Sequence, residues 1–452
     1  MQKRGNQRTQ WAVFASLLLG GCSAVVDIEP DCDQVSECGA YLCNDENTAC
    51  KAQCRSSSSD CATGFVCMGD EARCEGGLCV GRTPARSVSI RSQALRHYTW
   101  VPAIFENGRG VVAILGASQN EVSFARLDAT TLAPVIGPGG VAGGAEVLDS
   151  GTNSRALPVI LPPDRGGNIR SIWADAQGMG RIRSALYSMQ SGALSPAETL
   201  YESEVSLASS TLAASSSGVD AHVVWIGGSA RALYGLRITS LGAVSGPHVL
   251  SDDARAPALL SYQGTHRVFW AGTSPGGWTL FAREIADGAD FYLAEAPASV
   301  WQGSGAVPSQ IRVVGTDEGY LVFTTRTLGS GTLDNRIVRV VNGAVVGGAQ
   351  EWLGGFRNVE SVALTQHPQG GALALVAGRW EGERGLWLVQ VLASGAVDSI
   401  PVRVLDAPLD ARTEIETMRV AATATTAWVS WSTKAIGEQW GDFFLRGFDC
   451  AF

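Results

Sequence analysis

Ser274 lies at the centre of a Gly-x-Ser-x-Gly stretch, Gly272–Gly276. In hydrolases this spacing holds a serine nucleophile on a sharp turn between a strand and a helix. Here β-forming runs flank the stretch on both sides, Arg267–Trp270 and Thr279–Ile285, and no helical pattern follows. We therefore expect a hairpin loop at Ser274, and the sequence predicts no catalytic residues.

The sequence also gives little indication of a metal site or of acid–base catalysis. None of the five histidines lies two or four residues from another, and the acidic residues lack the spacing of an EF-hand loop. Two of the histidines, His222 and His266, begin β-forming runs, so we expect them to be structural or surface residues. Glu381 and Glu383 could form the carboxylate pair of a glycosidase, but their spacing alone does not establish the separation that this chemistry needs. We expect no metal and no cofactor.

Large aromatic and charged residues between the β-forming runs are the best candidates for binding. Tryptophan offers a flat apolar face with one polar N–H group, which suits sugars and protein partners. The alternative is that each tryptophan packs beneath neighbouring structure, since tryptophan is usually well buried. The candidate binding residues are Trp278, Trp301, Arg326, Trp352, Arg379, Trp380, Glu381, Glu438 and Trp440.

A turn motif recurs about every fifty residues and indicates the kind of fold that positions these candidate residues. Gly-Ala dipeptides followed by an apolar residue or aspartate recur at intervals of 50, 46, 55 and 52 residues. Self-similarity at such a period is typical of repeat proteins, in which each unit is one supersecondary element. The dipeptides begin at Gly192, Gly242, Gly288, Gly343 and Gly395.

Each repeat reads as four short antiparallel strands. Around Gly242 the β-forming runs are Ser206–Ala213, Ala221–Trp225, Leu233–Ile238 and Pro247–Leu250, separated by turn residues. Four strands per unit with no helix between units predict a β-propeller blade. Loops from the second strand to the third, and from one blade to the next, emerge on the same face of a propeller, and these loops carry the candidate binding residues.

We predict an all-β fold, a seven-bladed β-propeller over residues 82–452, with six or eight blades as the alternative. The last unit, Thr413–Asp449, has only three strands, and we expect Ser87–Ser92 to supply the fourth and close the ring. Closure removes exposed strand edges. Four tryptophans recur in second strands and are expected between blades in the core: Trp173, Trp225, Trp270 and Trp431.

The N-terminal residues 1–21 have the features of an export signal. Lys3, Arg4 and Arg8 precede the short apolar run Trp11–Leu19, and Leu19-Gly-Gly-Cys22 follows. This stretch resembles a bacterial lipoprotein signal, with Cys22 as the acylated residue; the alternative is an ordinary secretory signal. The resemblance implies that a lipid anchor attaches the protein to a membrane. The expected location is the outer membrane or cell surface of a Gram-negative bacterium.

Residues 22–81 form an acidic, cysteine-rich segment that we predict to be a disulfide module. It has no Cys-x-x-Cys pair and no histidine, so zinc is not expected. The part Cys54–Cys67 resembles small cysteine-rich modules of secreted and lipid-anchored bacterial proteins. The cysteines expected to form disulfides are Cys32, Cys38, Cys43, Cys50, Cys54, Cys61, Cys67, Cys74, Cys79 and Cys450.

Nine of these ten cysteines lie in the module, so one needs a partner outside it. Cys450 follows the third strand of the last blade, and Cys79 is the last cysteine before the predicted closing strand. We predict a bridge between Cys79 and Cys450; the alternative is a free Cys450 and one unpaired module thiol.

Composition and net charge argue against one further class of function. The net charge is −9, and no basic stretch with interleaved aromatic residues is present, which argues against binding of nucleic acid. The favoured function is non-enzymatic binding or scaffolding of a protein or glycan by the propeller's loop face. The alternative is a polysaccharide hydrolase or lyase with its site on that face.

Overall fold

The chain is described by a computed structural model. Between residues 65 and 150 it describes the strands given below and residues 132–133, and from 158 to 450 it describes the chain apart from short gaps, the longest being 287–295 and 437–441. Every regular element in these parts is a strand. In chain order the strands are β1 Phe65–Met68, β2 Arg73–Gly76, β3 Cys79–Gly81, β4 Arg86–Ser87, β5 Val101–Ile104, β6 Val111–Ala117, β7 Glu121–Asp128, β8 Ala145–Ser150, β9 Val159–Ile160, β10 Asn168–Asp175, β11 Arg181–Ser188, β12 Glu198–Glu202, β13 Leu207–Ser216, β14 Ala221–Gly227, β15 Ala232–Ile238, β16 Val244–Ser251, β17 Arg255–Tyr262, β18 Thr265–Ser274, β19 Gly277–Ala286, β20 Ala298–Ser304, β21 Gln310–Thr316, β22 Gly319–Thr327, β23 Leu333–Val341, β24 Ala344–Glu351, β25 Phe356–Gln366, β26 Ala372–Trp380, β27 Glu383–Val391, β28 Val402–Arg403, β29 Thr413–Ala422, β30 Thr426–Ala435 and β31 Asp442–Cys450.

The strands form the propeller that the repeat predicts. Six sheets have four consecutive antiparallel strands in simple order, beginning with β5–β8 and ending with β25–β28. The prediction of seven blades is wrong, because six sheets have the four consecutive strands of a blade, and six was one of the two alternatives. The remaining sheet is a composite of five strands drawn from both ends of the described chain, β29–β31 with β3 and β4.

The closing strand lies earlier in the chain than predicted. Residues Cys79–Gly81 pair with β31 near its end, and Arg86–Ser87 pair with its beginning. Of the predicted segment Ser87–Ser92, Ser87 is paired and the rest lies outside the described residues. Cys79 lies directly opposite Cys450 in this pairing.

The recurring glycine of the repeat occupies the turn between the third and fourth strands. Gly242 has φ of +82° and donates its N–H to the Thr239 carbonyl oxygen at 2.9 Å. Gly395 repeats the arrangement, with φ of +88° and a 2.9 Å bond to Leu392. Residues with a Cβ rarely adopt this conformation, so the period in the sequence is a period in backbone geometry.

The core lies between successive blades, where second strands are buried on both faces. All seven residues of β14 are buried. The four second-strand tryptophans are at most 2 % exposed, which confirms them as core residues. One apolar cluster, for example, joins Trp225 of one blade to Ile172 of the blade before it. Blades therefore depend on their neighbours for stability, and the ring positions every loop.

The predicted signal, the acylated Cys22 and the module cysteines from Cys32 to Cys61 lie outside the described residues. Within the module, Cys67 and Cys74 are directly opposite each other across the β1–β2 pair. Among the described residues, no helix is long and apolar enough to cross a membrane.

Candidate ligand-binding site

Three of the candidate binding residues meet in one pocket between two blades. Trp278 follows the β18–β19 turn, Trp301 lies in the middle of β20, and Arg326 lies near the end of β22 of the next blade. All three line a pocket of about 220 Å³, here called the Trp301 pocket. All three lie within strands rather than in the loops that the sequence predicts, and Trp301 is in the middle of a fourth strand instead of a connection between blades.

Charged side chains form one wall of the Trp301 pocket. The Asp334 carboxylate accepts from Arg326 Nε at 2.5 Å and from Arg336 Nε at 2.7 Å. Arg326 also donates through Nη1 to the Ser304 carbonyl oxygen at 2.8 Å, which ties the two blades together. Two guanidinium groups thus share one carboxylate, which leaves the wall with a net positive charge and fixed N–H donors.

The aromatic wall is built by two perpendicular indoles. The rings of Trp278 and Trp301 lie 4.7 Å apart at 86°, an edge-to-face arrangement. Trp278 is only 2 % exposed and supports the half-buried Trp301 from behind. A Cβ on Gly303 would lie 2.4 Å from the Trp278 ring, so this position requires glycine for the two residues to pack.

The other candidate binding residues do not join this pocket. Trp352 is 6 % exposed and packs edge-on against Phe323 in an inter-blade cluster. Trp278 and Trp352 therefore present no exposed face. Both pack beneath neighbouring structure, which was the alternative to a binding role. Trp380 is half-buried against Phe356.

The turn after Trp380 carries the remaining described candidates. Arg379 and Glu381 are both exposed, and Arg379 donates to the Gly382 carbonyl oxygen at 3.1 Å. Glu438 and Trp440 lie outside the described residues. The structure thus gathers Trp278, Trp301 and Arg326, and leaves Arg379, Trp380 and Glu381 at a separate turn.

A second and larger cavity runs along the axis of the ring. Its volume is about 690 Å³, and it is lined by the first strands of the blades, including β13, β17, β21, β25 and β29. Arg312 on β21 and Arg419 on β29 both line it. Burial lowers the pKa of Arg312, and burial together with the positive charge of Arg312 lowers the pKa of Arg419 to about 10.

Sequence reasoning missed these two arginines. The signal available was a basic residue within the first strand of a blade, where the other first strands carry small or apolar residues at the corresponding level. This signal can be interpreted only if one knows that first strands line a central channel. That arrangement becomes evident only after the blades have been assigned to a closed ring.

The Ser274 stretch is the hairpin that the sequence predicts. Ser274 and Gly277 pair at the end of β18 and the start of β19, with no helix after them. The Asp253 carboxylate accepts from the Thr273 hydroxyl and, at 3.0 Å, from its backbone N–H. These bonds lower the pKa of Asp253, so this acid supports the loop as a carboxylate.

Histidines and acids do not assemble into a metal centre within the described residues. No group of three or more His, Cys, Asp or Glu side chains there could hold a metal ion. His222 and His266 are both fully buried, with ring centroids 4.1 Å apart, as neighbouring second strands bring them together. This position agrees with the expectation of a structural role.

Comparison with known proteins supports nothing beyond the fold. No family model and no curated protein matches the chain. The propeller domain of the Trilobed protease from Pyrococcus furiosus is similar at 10 % identity, over 77 % of this chain and 94 % of that chain, with a TM-score of 0.46. A Dyadobacter fermentans protein of unknown function is similar at 14 % identity over 66 % of this chain and 95 % of that chain, also with a TM-score of 0.46. An ulvan lyase matches at 11 % identity over 81 % of this chain and 95 % of that chain, again with a TM-score of 0.46.

Proposed function

We propose that this protein is an exported, lipid-anchored propeller that binds a glycan in the Trp301 pocket without transforming it. The observation that carries the proposal is the combination of a half-buried indole, Trp301, with two arginines held by Asp334. An apolar ring face beside fixed hydrogen-bond donors matches a sugar ring, which has apolar faces and polar edges.

The size of the pocket favours a glycan over a protein partner. Stable protein interfaces bury about 800 Å² on each partner, which requires a broad surface. The Trp301 pocket is a concave site of about 220 Å³, below the roughly 300–1,000 Å³ of drug-sized ligand sites. One sugar unit at the end or side of a chain suits this volume better than a folded surface.

The chemistry of the pocket favours binding over hydrolysis. Glycoside hydrolysis uses two carboxyl groups, one as acid and one as base or nucleophile. Among the described lining residues, Asp334 is the only acid, and both of its oxygens accept from arginines. A carboxylate whose two oxygens both accept from guanidinium groups holds those donors in place, and the pocket lacks the second carboxyl group that hydrolysis uses.

The cellular setting completes the proposal. Acylation of Cys22 would tether the chain to a membrane, and the acidic cysteine-rich segment would separate the propeller from the lipid surface. Two or three acyl chains provide stable anchoring where one chain is marginal. In this arrangement the propeller would hold a polysaccharide near the cell envelope.

A glycan array followed by calorimetry tests the proposed function. Full-length wild-type protein is screened against bacterial and plant glycans, and each ligand found is titrated against Trp301→Ala and Arg326→Gln. We expect each variant to bind about tenfold more weakly or worse, as for loss of a central aromatic or arginine contact. Trp380→Ala is the matched control, since Trp380 is also half-buried against an aromatic ring but lies outside the pocket.

Two results would contradict the proposal. One is an array on which the folded wild-type protein binds no glycan. The other is a glycan that Trp301→Ala and Arg326→Gln bind as tightly as the wild type, since the ligand would then occupy another part of the molecule.

A further inference from the structure

The central channel carries two positive charges at a similar depth. Arg312 pairs with Phe323, the fifth residue of β22, and Arg419 pairs with Ser430, the fifth residue of β30. Counting from the hairpin turns thus puts both arginines at the same level of the ring. At this level, other first strands contribute uncharged residues to the channel lining: Val159, Leu212, Ala258 and Val362.

Neither arginine has an acidic partner among the side chains that the structure describes. Arg312 donates to the carbonyl oxygen of Ile311 at 3.0 Å, and Arg419 donates to that of Met418 at 2.7 Å. The described channel lining contains no aspartate or glutamate. Several other arginines pair with acids, as Arg237 does with Asp220.

The two guanidinium groups differ in accessibility: Arg312 is exposed to the channel, and Arg419 is half-buried. Strands of several blades surround the channel, so water hydrates these charges less fully than at an open surface. Burial, and after it the positive charge of Arg312, lowers the pKa of Arg419. Like charges repel, and an anion bound in the channel would offset this repulsion.

We propose that the central channel is a binding site for an oxyanion, a carboxylate, sulfate or phosphate group, held by Arg312 and Arg419. Guanidinium groups bind such oxyanions through paired N–H donors, and these charge-assisted bonds are strong in enclosed sites. The cavity of about 690 Å³ has room for a small molecule that carries the anionic group.

Polar side chains lie beside the two arginines on the same strands. Gln310 and Thr417 each lie two residues before an arginine, and both line the channel. Residues two apart on a strand project to the same face, so the Gln310 amide can bond to the rest of the ligand. The Thr417 hydroxyl bonds to the Ser432 hydroxyl at 2.9 Å and adds one further polar group to the lining. The site therefore suits an acidic monosaccharide as well as an inorganic anion.

This site is separate from the Trp301 pocket, and neither proposal depends on the other. A neutral glycan could bind the pocket with the channel empty, and an anion could occupy the channel of a protein that binds no glycan. The lining residues of the two cavities do not overlap.

Calorimetry with defined anions tests the channel site. Full-length protein is titrated at constant ionic strength with sulfate, phosphate and glucuronate, and with chloride and glucose as matched controls. We expect one equivalent of at least one oxyanion to bind, and chloride and glucose not to bind. Binding of glucuronate but not of the inorganic ions would identify an acidic sugar as the source of the oxyanion.

Variants then locate the bound anion. Arg312→Gln and Arg419→Gln should each weaken binding about tenfold or more, as for loss of a charge-assisted hydrogen-bond donor. Arg419→Lys keeps the charge and should bind with intermediate affinity. Arg412→Gln removes an exposed arginine just before the same strand and should leave affinity unchanged.

Two outcomes would overturn the inference. One is that no oxyanion binds the folded wild-type protein at millimolar concentration. The other is binding that the Arg312 and Arg419 variants retain at wild-type affinity, with circular dichroism showing them folded. If a glutamine variant does not fold, Arg312→Lys and Arg419→Lys decide the matter, since unchanged affinity in both would place the anion elsewhere.

Discussion

Replacing Trp352 by alanine should unfold the propeller far more readily than replacing Trp301. Trp352 is 6 % exposed and belongs to a cluster that spans two blades, with its ring 5.0 Å from that of Phe323. Truncating a buried tryptophan leaves a cavity and costs about 3–5 kcal/mol. Trp301 is half-buried at a pocket, where water can fill the space left by the ring, so we expect a loss of less than about 2 kcal/mol.

The free energy of unfolding is measured by urea denaturation, followed by circular dichroism at one pH and temperature. Trp352→Phe serves as the intermediate control, since it retains a ring in the cluster and should lose less than Trp352→Ala. Equal losses for Trp301→Ala and Trp352→Ala would refute the division of these tryptophans into pocket and core. A loss below about 1 kcal/mol for Trp352→Ala would do the same.

Three further predictions concern other parts of the chain. Cys22→Ser should leave the protein unlipidated and in the soluble fraction; unchanged fractionation and an unchanged mass of the N-terminal peptide would contradict the anchor. Non-reducing peptide mapping should recover Cys79 linked to Cys450, since opposed residues of an antiparallel pair lie about 4.5–5.5 Å apart, within reach of a disulfide; a free Cys450 thiol would refute this pairing. Burial lowers the pKa of His367, so its neutral form stabilises the fold above the unfolded pKa of about 6.5 and this stability is lost as pH falls; His367→Gln should flatten the change in urea midpoint between neutral and acidic pH, and an unchanged slope would contradict it.

The sequence predicts the propeller because each repeat places the same requirements on backbone conformation and burial, and these requirements restrict the residue types at fixed positions. A glycine such as Gly242 recurs where a turn needs positive φ, and a tryptophan such as Trp225 recurs where a second strand is buried on both faces. Both requirements are local to one unit, so the same residue type recurs at the same position in successive units. The pairing of Cys79–Gly81 with β31 was not predicted, because these residues were assigned to the cysteine-rich module.

The site is harder to predict because it depends on the direction of each side chain. The sequence placed both Trp301 and Trp352 in connections between blades, whereas Trp301 lies within β20 at a pocket and Trp352 follows β24 in the core. The channel arginines were missed for a different reason. Arg312 and Arg419 are about 100 residues apart in the chain, and only closure of the ring brings their strands to one axis.

A crystal structure of the full-length protein with the best glycan from the array tests the central claim most directly. The account predicts a sugar ring against Trp301, with a polar group of the sugar hydrogen-bonded to Arg326 or Arg336. A glycan bound at another face of the propeller, with the Trp301 pocket empty, would contradict it.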